Sequence, residues 1–485
     1  MSSVETVQIL LGSRCYSVPR EQLVAQSGFF QSLFRSGMRE SHGEPVTLHG
    51  LTPEGLEGVL RHITGGSLLE AQGGSEFGFQ VVSLEDPERC SLEDESTCGL
   101  ESSGPLQAVV EAASYLQVQG LLSLLQSSMS LDTCLDILEV AQLHGQWDLA
   151  SAALHFMAAH YLSMLRREDF QQSPRSLRTR VLEERLRGTP ALMVLSQQGP
   201  DNWVLLRYLE GGGGWQVMTG EVPQSMLRVQ GYGATTLHNY LFVAGGRRDN
   251  GQEISAVHSY NPSNGCWTQE PSMNQKRCNF RLLAVGGALY AVGGQTLPNV
   301  ECYIPAQDAW TPVSPLPEIL AEFSACESRG NIYVVGGYTP RGRNLNILRY
   351  CPSADEWCVF DVCQQHVRKQ QMVSLEETIF LVGGCVRNVK SGQTEDSLGI
   401  HSYNTRTKTW NCLKANTSKS GLSVSCALHN DGIYILSRDM GPTMGARNRI
   451  FLKYCVFTGG IEYVRGPPSE GNNMQLCSLY LPQAL

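Results

Sequence analysis

A short pattern returns at near-regular intervals through the second half of this chain. β-Branched or aromatic runs end in glycine doublets at Gly245-Gly246, Gly293-Gly294, Gly336-Gly337 and Gly383-Gly384, whose first glycines stand 48, 43 and 47 residues apart. After each doublet comes a Tyr, and seven residues beyond it a Trp: Tyr260/Trp267, Tyr303/Trp310, Tyr350/Trp357 and Tyr403/Trp410. Two further units are worn. Tyr208/Trp215 precedes the first clear doublet, and Tyr454 is followed by Ile461, with Ser437-Arg438 where its doublet should stand. That makes six units of one supersecondary element, which cannot bury both faces alone and must stack around a centre.

The runs before the doublets, such as Phe242-Val243-Ala244 and Tyr333-Val334-Val335, are apolar without a helical period and predict short buried strands. A glycine pair directly after such a strand suits close backbone approach near a crowded axis. The fixed Tyr-to-Trp interval fits two strands joined by a tight turn, with turn chemistry in Asn261-Pro262-Ser263-Asn264-Gly265. Spacing and residues together resemble the kelch repeat, which implies an all-β six-bladed propeller over 189–485. The first unit opens on Ala191-Leu192-Met193-Val194-Leu195, a second strand with no first. The terminal run from Met474 to Leu481 is a strand with no unit of its own, so it should close the ring by completing blade one.

At 485 residues the chain has room for several domains. A net charge of −9 argues against a general nucleic-acid or anionic-membrane binder. The 16 cysteines scatter through expected strands without a C-x-x-C pair, giving no support for a metal site. No cofactor is expected. With neither a basic-then-apolar leader nor an apolar run near 18 residues, the expectation is a reduced, non-secreted protein: cytoplasmic, cytoskeleton-associated or nuclear.

The first half is of mixed type. Val4 to Leu11 predicts a strand, Gly12-Ser13-Arg14 a turn and Cys15-Tyr16-Ser17-Val18 its partner. Pro19 opens a helix carrying Leu23, Val24, Phe29, Phe30, Leu33 and Phe34, and Thr52-Pro53-Glu54 starts another. This order, with Ser27-Gly28-Phe29-Phe30 and the helix pair from Val109 to Gln126, is similar to the α+β BTB domain, here 1–129. The helix that precedes the first strand in that family has no counterpart in the sequence, so homodimerisation is left open. Residues 65–104 hold nine acids and one base, Arg89, nearly all of the chain's net charge, and predict an acidic loop insertion. Residues 130–188 predict helices, and Ala141-Gln142-Leu143-His144-Gly145 resembles a truncated, all-α BACK segment. His144 is expected to be a packed or capping residue rather than a ligand.

BTB, BACK-like segment and kelch propeller in that order resemble the kelch-like family. The resemblance implies a non-catalytic substrate adaptor of a cullin-3 RING ubiquitin ligase. Its cullin contact would fall on Met38, Arg39 and Glu40, the Met filling an apolar cleft and the Glu accepting hydrogen bonds at its rim. The protein substrate would meet loops at one end of the propeller. Arg247 and Tyr338 follow doublets, Arg277 and Arg368 precede innermost strands, Arg341 and Arg343 lie in a long loop, and Arg438 sits in the worn doublet. Such an arginine set suits an acidic peptide. Two readings compete. Copper-oxidase chemistry needs His and Tyr ligands near the axis, and His258 and His401 are placed away from it. A non-ligase scaffold, cytoskeletal or transcriptional, stays open.

Overall fold

The computed structural model describes residues 5–482 apart from 38, 66–78, 84–104, 128, 200, 212–213, 219, 364, 388–391, 393, 397, 415–423, 439–448, 467 and 469–471. Most of the acidic stretch 65–104, and Met38, therefore lie outside the described residues. The chain packs as two compact units, Met1–Met164 with Pro174–Glu184, and Leu165–Ser173 with Arg185–Leu485.

In the first unit, Thr6–Leu11 and Arg14–Pro19 form an antiparallel hairpin about Gly12, whose φ of 57° is left-handed. Val46–Thr47 adds to it in parallel and Gln80–Ser83 antiparallel, giving a four-stranded sheet. Helices Arg20–Gln26, Gly28–Arg35 and Pro53–Ile63 follow, the last started by Thr52, whose hydroxyl accepts from the Gly55 amide. Pro53–Ile63 packs closely on Pro105–Tyr115: a Cβ at Gly55 would lie 2.3 Å from the Ala108 carbonyl oxygen. Ser27 ties distant segments together, donating its hydroxyl to the Leu116 carbonyl at 2.6 Å. Helices Gln119–Ser127, Cys134–Leu143, Trp147–Ala159 and Tyr161–Leu165 follow. His144 caps the second of these through its backbone N–H.

The second unit holds six four-stranded antiparallel sheets, the blades of a propeller. Their innermost strands are, in order, Asn472–Leu481, Gly233–Leu237, Arg281–Val285, Ser324–Ser328, Gln371–Leu375 and Val424–His429, and each contacts its neighbours around a closed ring. Blade one is completed by the chain terminus, Leu476 opposite Val194 and Leu479 opposite Ala191. Every repeat Tyr lies opposite its Trp in register, with ring centroids 4.8–5.3 Å apart. In the sixth blade Tyr454 faces Ile461. The doublets serve close approach: a Cβ at Gly336 would meet the Val367 carbonyl oxygen at 2.1 Å, and one at Gly337 the Ala321 carbonyl oxygen at 2.4 Å.

The second unit is larger than the 189–485 read from the sequence, because two arginines upstream bind within it. Arg166 meets Glu270, the Tyr303 hydroxyl at 3.0 Å and Asp308 at 2.9 Å. Arg185 is buried, lies 4.0 Å over the Tyr240 ring and donates to the Asn239 carbonyl and the Asn261 side chain. Among the described residues no helix is long and apolar enough to cross a membrane.

Ring closure depends on Leu479, which is 1% exposed. Leu479→Ala should lower stability by about 2–5 kcal/mol. Tyr480→Ala, at a side chain 41% exposed, should stay within about 0.5 kcal/mol. Urea unfolding of the two variants checks the difference.

Candidate functional site

Loops after the doublets and loops leading into the innermost strands meet around a cavity of about 820 Å³ at one mouth of the propeller. Its charged lining is Arg247, Arg281, Arg368 and Lys369 against one carboxylate, Glu322. A cationic mouth on a chain of net charge −9 is a local field opposite in sign to the whole.

The cations differ in how free they are. Glu322 receives Arg368 at 2.8 Å and Lys369 at 2.9 Å. Burial alone would raise its pKa, but the two cations outweigh burial and hold it below the usual carboxylate range. Arg368 also lies 5.8 Å from the centre of the half-buried Tyr338 ring, which packs on His366. Arg247 is exposed at the start of the short strand Arg247–Arg248.

Arg281 is the unusual group. It is the first residue of its innermost strand, where the other five blades have Asn472, Gly233, Ser324, Gln371 and Val424. Its guanidinium reaches past its own blade, donating to the Phe323 carbonyl at 3.2 Å and the Gln370 carbonyl at 3.3 Å. Both acceptors are neutral, and among the described residues no carboxylate pairs with it. Burial consequently pulls its pKa below the ordinary arginine value. A partly buried cation without a counter-ion is costly, and an arriving anion would relieve that cost.

Cys278 at the same mouth is no nucleophile. Burial first, and the Glu253 carboxylate second, push its thiol up to about 11, so it stays protonated and donates to Glu253.

The arginines expected to form one face are thus divided by the structure. Arg247, Arg368 and Tyr338 do line the mouth. Arg277 corrects the expectation: it is fully buried, bound to Glu301 at 2.7 Å and to the Gly293 and Asn299 carbonyls, and so is a structural residue. The same Glu301 accepts from the Asn274 and Gln275 amides. Arg341 and Arg343 stand exposed on their hairpin and do not line the cavity. Arg438 is the last residue of Gly432–Arg438, and its side chain lies outside what is described. Arg281 lies outside the residues that precede the innermost strands, where the sequence reading places its arginines. Aligning the six units would have exposed it as the one charge in that column. In the first unit, Arg39 is exposed and Glu40 half-buried within the turn Arg39–His42.

The Kelch motif model matches residues 228–274 and 276–317. The chain is 48% identical over 510 residues to human kelch-like protein 42, covering 99% of each, and 49% identical to the mouse protein over 509 residues, again 99% of each. It is also 26% identical over 294 residues to human kelch repeat and BTB domain-containing protein 13, spanning 60% of this chain and 56% of that one.

Removing one member of the buried Arg277–Glu301 pair leaves the other charge unmatched. Arg277→Ala should cost about 3–5 kcal/mol of stability, and Arg341→Ala should stay within about 0.5 kcal/mol, both read by urea denaturation.

Proposed function

The chain belongs to the kelch-like family, and from that premise we propose that it is the substrate-recognition adaptor of a cullin-3 RING ubiquitin ligase. It is non-catalytic in this reading and works in the cytoplasm. The first unit holds the cullin through Met38, Arg39 and Glu40, and the propeller mouth holds the protein to be ubiquitinated. The observation that carries the substrate half is Arg281, a guanidinium at the mouth bound only to neutral carbonyls. With Arg247 and Arg368 nearby, it favours an acidic segment of a protein substrate, whose carboxylate would supply the missing counter-ion through charge-assisted bonds.

The cullin half rests on the family and on the placement of Arg39 and Glu40 in a surface turn directly after helix Gly28–Arg35. A Glu at such a rim can accept from a partner without first breaking an internal ion pair. Among the described residues no salt bridge is formed by Glu40.

The test is a titration of the cullin-3 amino-terminal domain against the full chain and its Met38→Ala, Glu40→Ala double variant. Binding should weaken by roughly 30-fold or more in the variant, the equivalent of a 2 kcal/mol hot spot. If the intact chain does not bind, the ligase reading fails and a non-ligase scaffold takes its place. Independently, Arg281→Ala should reduce binding of an acidic substrate peptide and flatten its salt dependence.

A further inference from the structure

In blades two to five a residue of left-handed backbone stands two places before the innermost strand: Gly231, Asn279, Glu322 and Lys369. All four line the cavity at the propeller mouth. Neighbouring members are tied through the backbone, Asn279 N–H to the Gly231 carbonyl at 2.8 Å and Lys369 N–H to the Glu322 carbonyl at 2.9 Å. Blades two and three fill this column with neutral groups, a glycine and an amide that donates to Gln295 at 3.2 Å. Blades four and five fill it with charges. The mouth is therefore lopsided.

The charged side is closely knit. Glu322 gives one oxygen to each cation, Oε2 to Arg368 at 2.8 Å and Oε1 to Lys369 at 2.9 Å. Arg281 reaches the same spot from blade three. Its Nε and Nη2 donate to the carbonyl of Phe323, which follows Glu322, and Nη2 also to that of Gln370, which follows Lys369. Four charged residues from three blades thus meet, three cations around one carboxylate. They can be reached from the cavity. The Lys369 side chain is 45% exposed and that of Arg368 27%, while Arg281 is partly exposed. Donors are also left over. Among the described residues Arg281 Nη1 makes no hydrogen bond, and the three N–H groups of the Lys369 ammonium have Glu322 as their one partner.

We infer that this side of the mouth reads a phosphomonoester, a phosphoserine or phosphothreonine of the protein substrate. The inference rests on the substrate-adaptor reading and narrows its acidic segment to a modified one. Charge separates the candidates. Arg281, Arg368 and Lys369 against Glu322 leave a surplus of two positive charges, which a single carboxylate only half neutralises in a partly desolvated place. A phosphomonoester brings a charge of about −1.5 to −2 at neutral pH and three acceptor oxygens on one stem. Those oxygens can take Arg281 Nη1 and the free Lys369 donors together, with Arg368 still held by Glu322 at the edge. Two carboxylates would carry the same charge, but only by bringing two side chains to the one spot where Arg281 and Lys369 converge. A cluster of cations from several chain segments around one phosphate is a recurring mode of peptide recognition.

The probes are three peptides in one neutral host, acetyl-Gly-Ala-X-Ala-Gly-amide, with phosphoserine, glutamate or serine at X. Each is titrated into the full chain by ligand-observed NMR. The phosphoserine peptide should bind about tenfold or more tightly than the glutamate one, and the serine peptide not at all. Arg281→Gln and Lys369→Gln should each remove most of that preference. Arg341→Ala, on the exposed hairpin outside the cavity, should leave it unchanged. Lys369 is exposed, so its variant tests the site even where Arg281→Gln unfolds the chain. Equal binding of the phosphoserine and glutamate peptides overturns the phosphate reading and leaves the acidic-segment adaptor standing. A preference that survives both variants overturns the assignment to this side of the mouth. Binding of neither charged peptide removes the phosphate reading and the acidic-segment reading together.

Discussion

The propeller exists because its last strand pairs with its first. Asn472–Leu481 lies against Thr189–Gly199, a contact between segments almost 300 residues apart in the chain. It gives blade one the innermost strand that the 189–217 segment does not itself contain, and so pairs the inner edge of Thr189–Gly199. Side chains then lock that strand to its neighbours on both sides. Asn239 donates to the Tyr480 carbonyl at 2.8 Å and accepts from its amide at 2.7 Å, while Ser425 accepts from the Leu476 amide at 2.8 Å. The same strand carries Asn473 and Gln475 to the cationic mouth. Closure and site geometry are therefore one constraint.

Arginines in this molecule illustrate how little residue type alone decides. Arg277, Arg281 and Arg185 are all sequestered, with three different consequences. Arg277 has a carboxylate and so is a structural tie. Arg185 has side-chain and carbonyl acceptors and an aromatic face, all within its own unit. Arg281 has only carbonyls beside an open cavity. Coulomb energy in a poorly solvated site is large and specific, so the presence or absence of one carboxylate separates a paired tie from a cation without a counter-ion.

Repetition makes departures legible. The Tyr–Trp pair and the glycine doublet meet the same packing demand in blade after blade, and where a blade breaks the pattern something else must satisfy the freed groups. The charge at Arg281 and the charged pair Glu322 and Lys369 are both breaks of this kind. A scaffold built from equivalent units concentrates its individuality in the few positions where equivalence fails.

The sequence determined the repeat, its six-fold count, the pairing of each Tyr with its Trp and the need for a closing strand. Those follow from short-range spacing, turn chemistry and the glycine demand for close approach. It also placed the mixed α/β segment before the propeller, since the elements there follow local hydrophobic period and caps such as Thr52. Tertiary structure alone decided which arginines are free, because a counter-ion such as Glu301 or Glu322 comes from a different turn or strand. It alone assigned Leu165–Ser173 to the propeller unit, through long-range partners of Arg166. It alone gathered Arg281, Glu322, Arg368 and Lys369 on one side of the mouth, from the entries of three blades. Spacing along a chain encodes which elements form. Burial, charge balance and cavities depend on residues far apart in the sequence, and only folding brings those together.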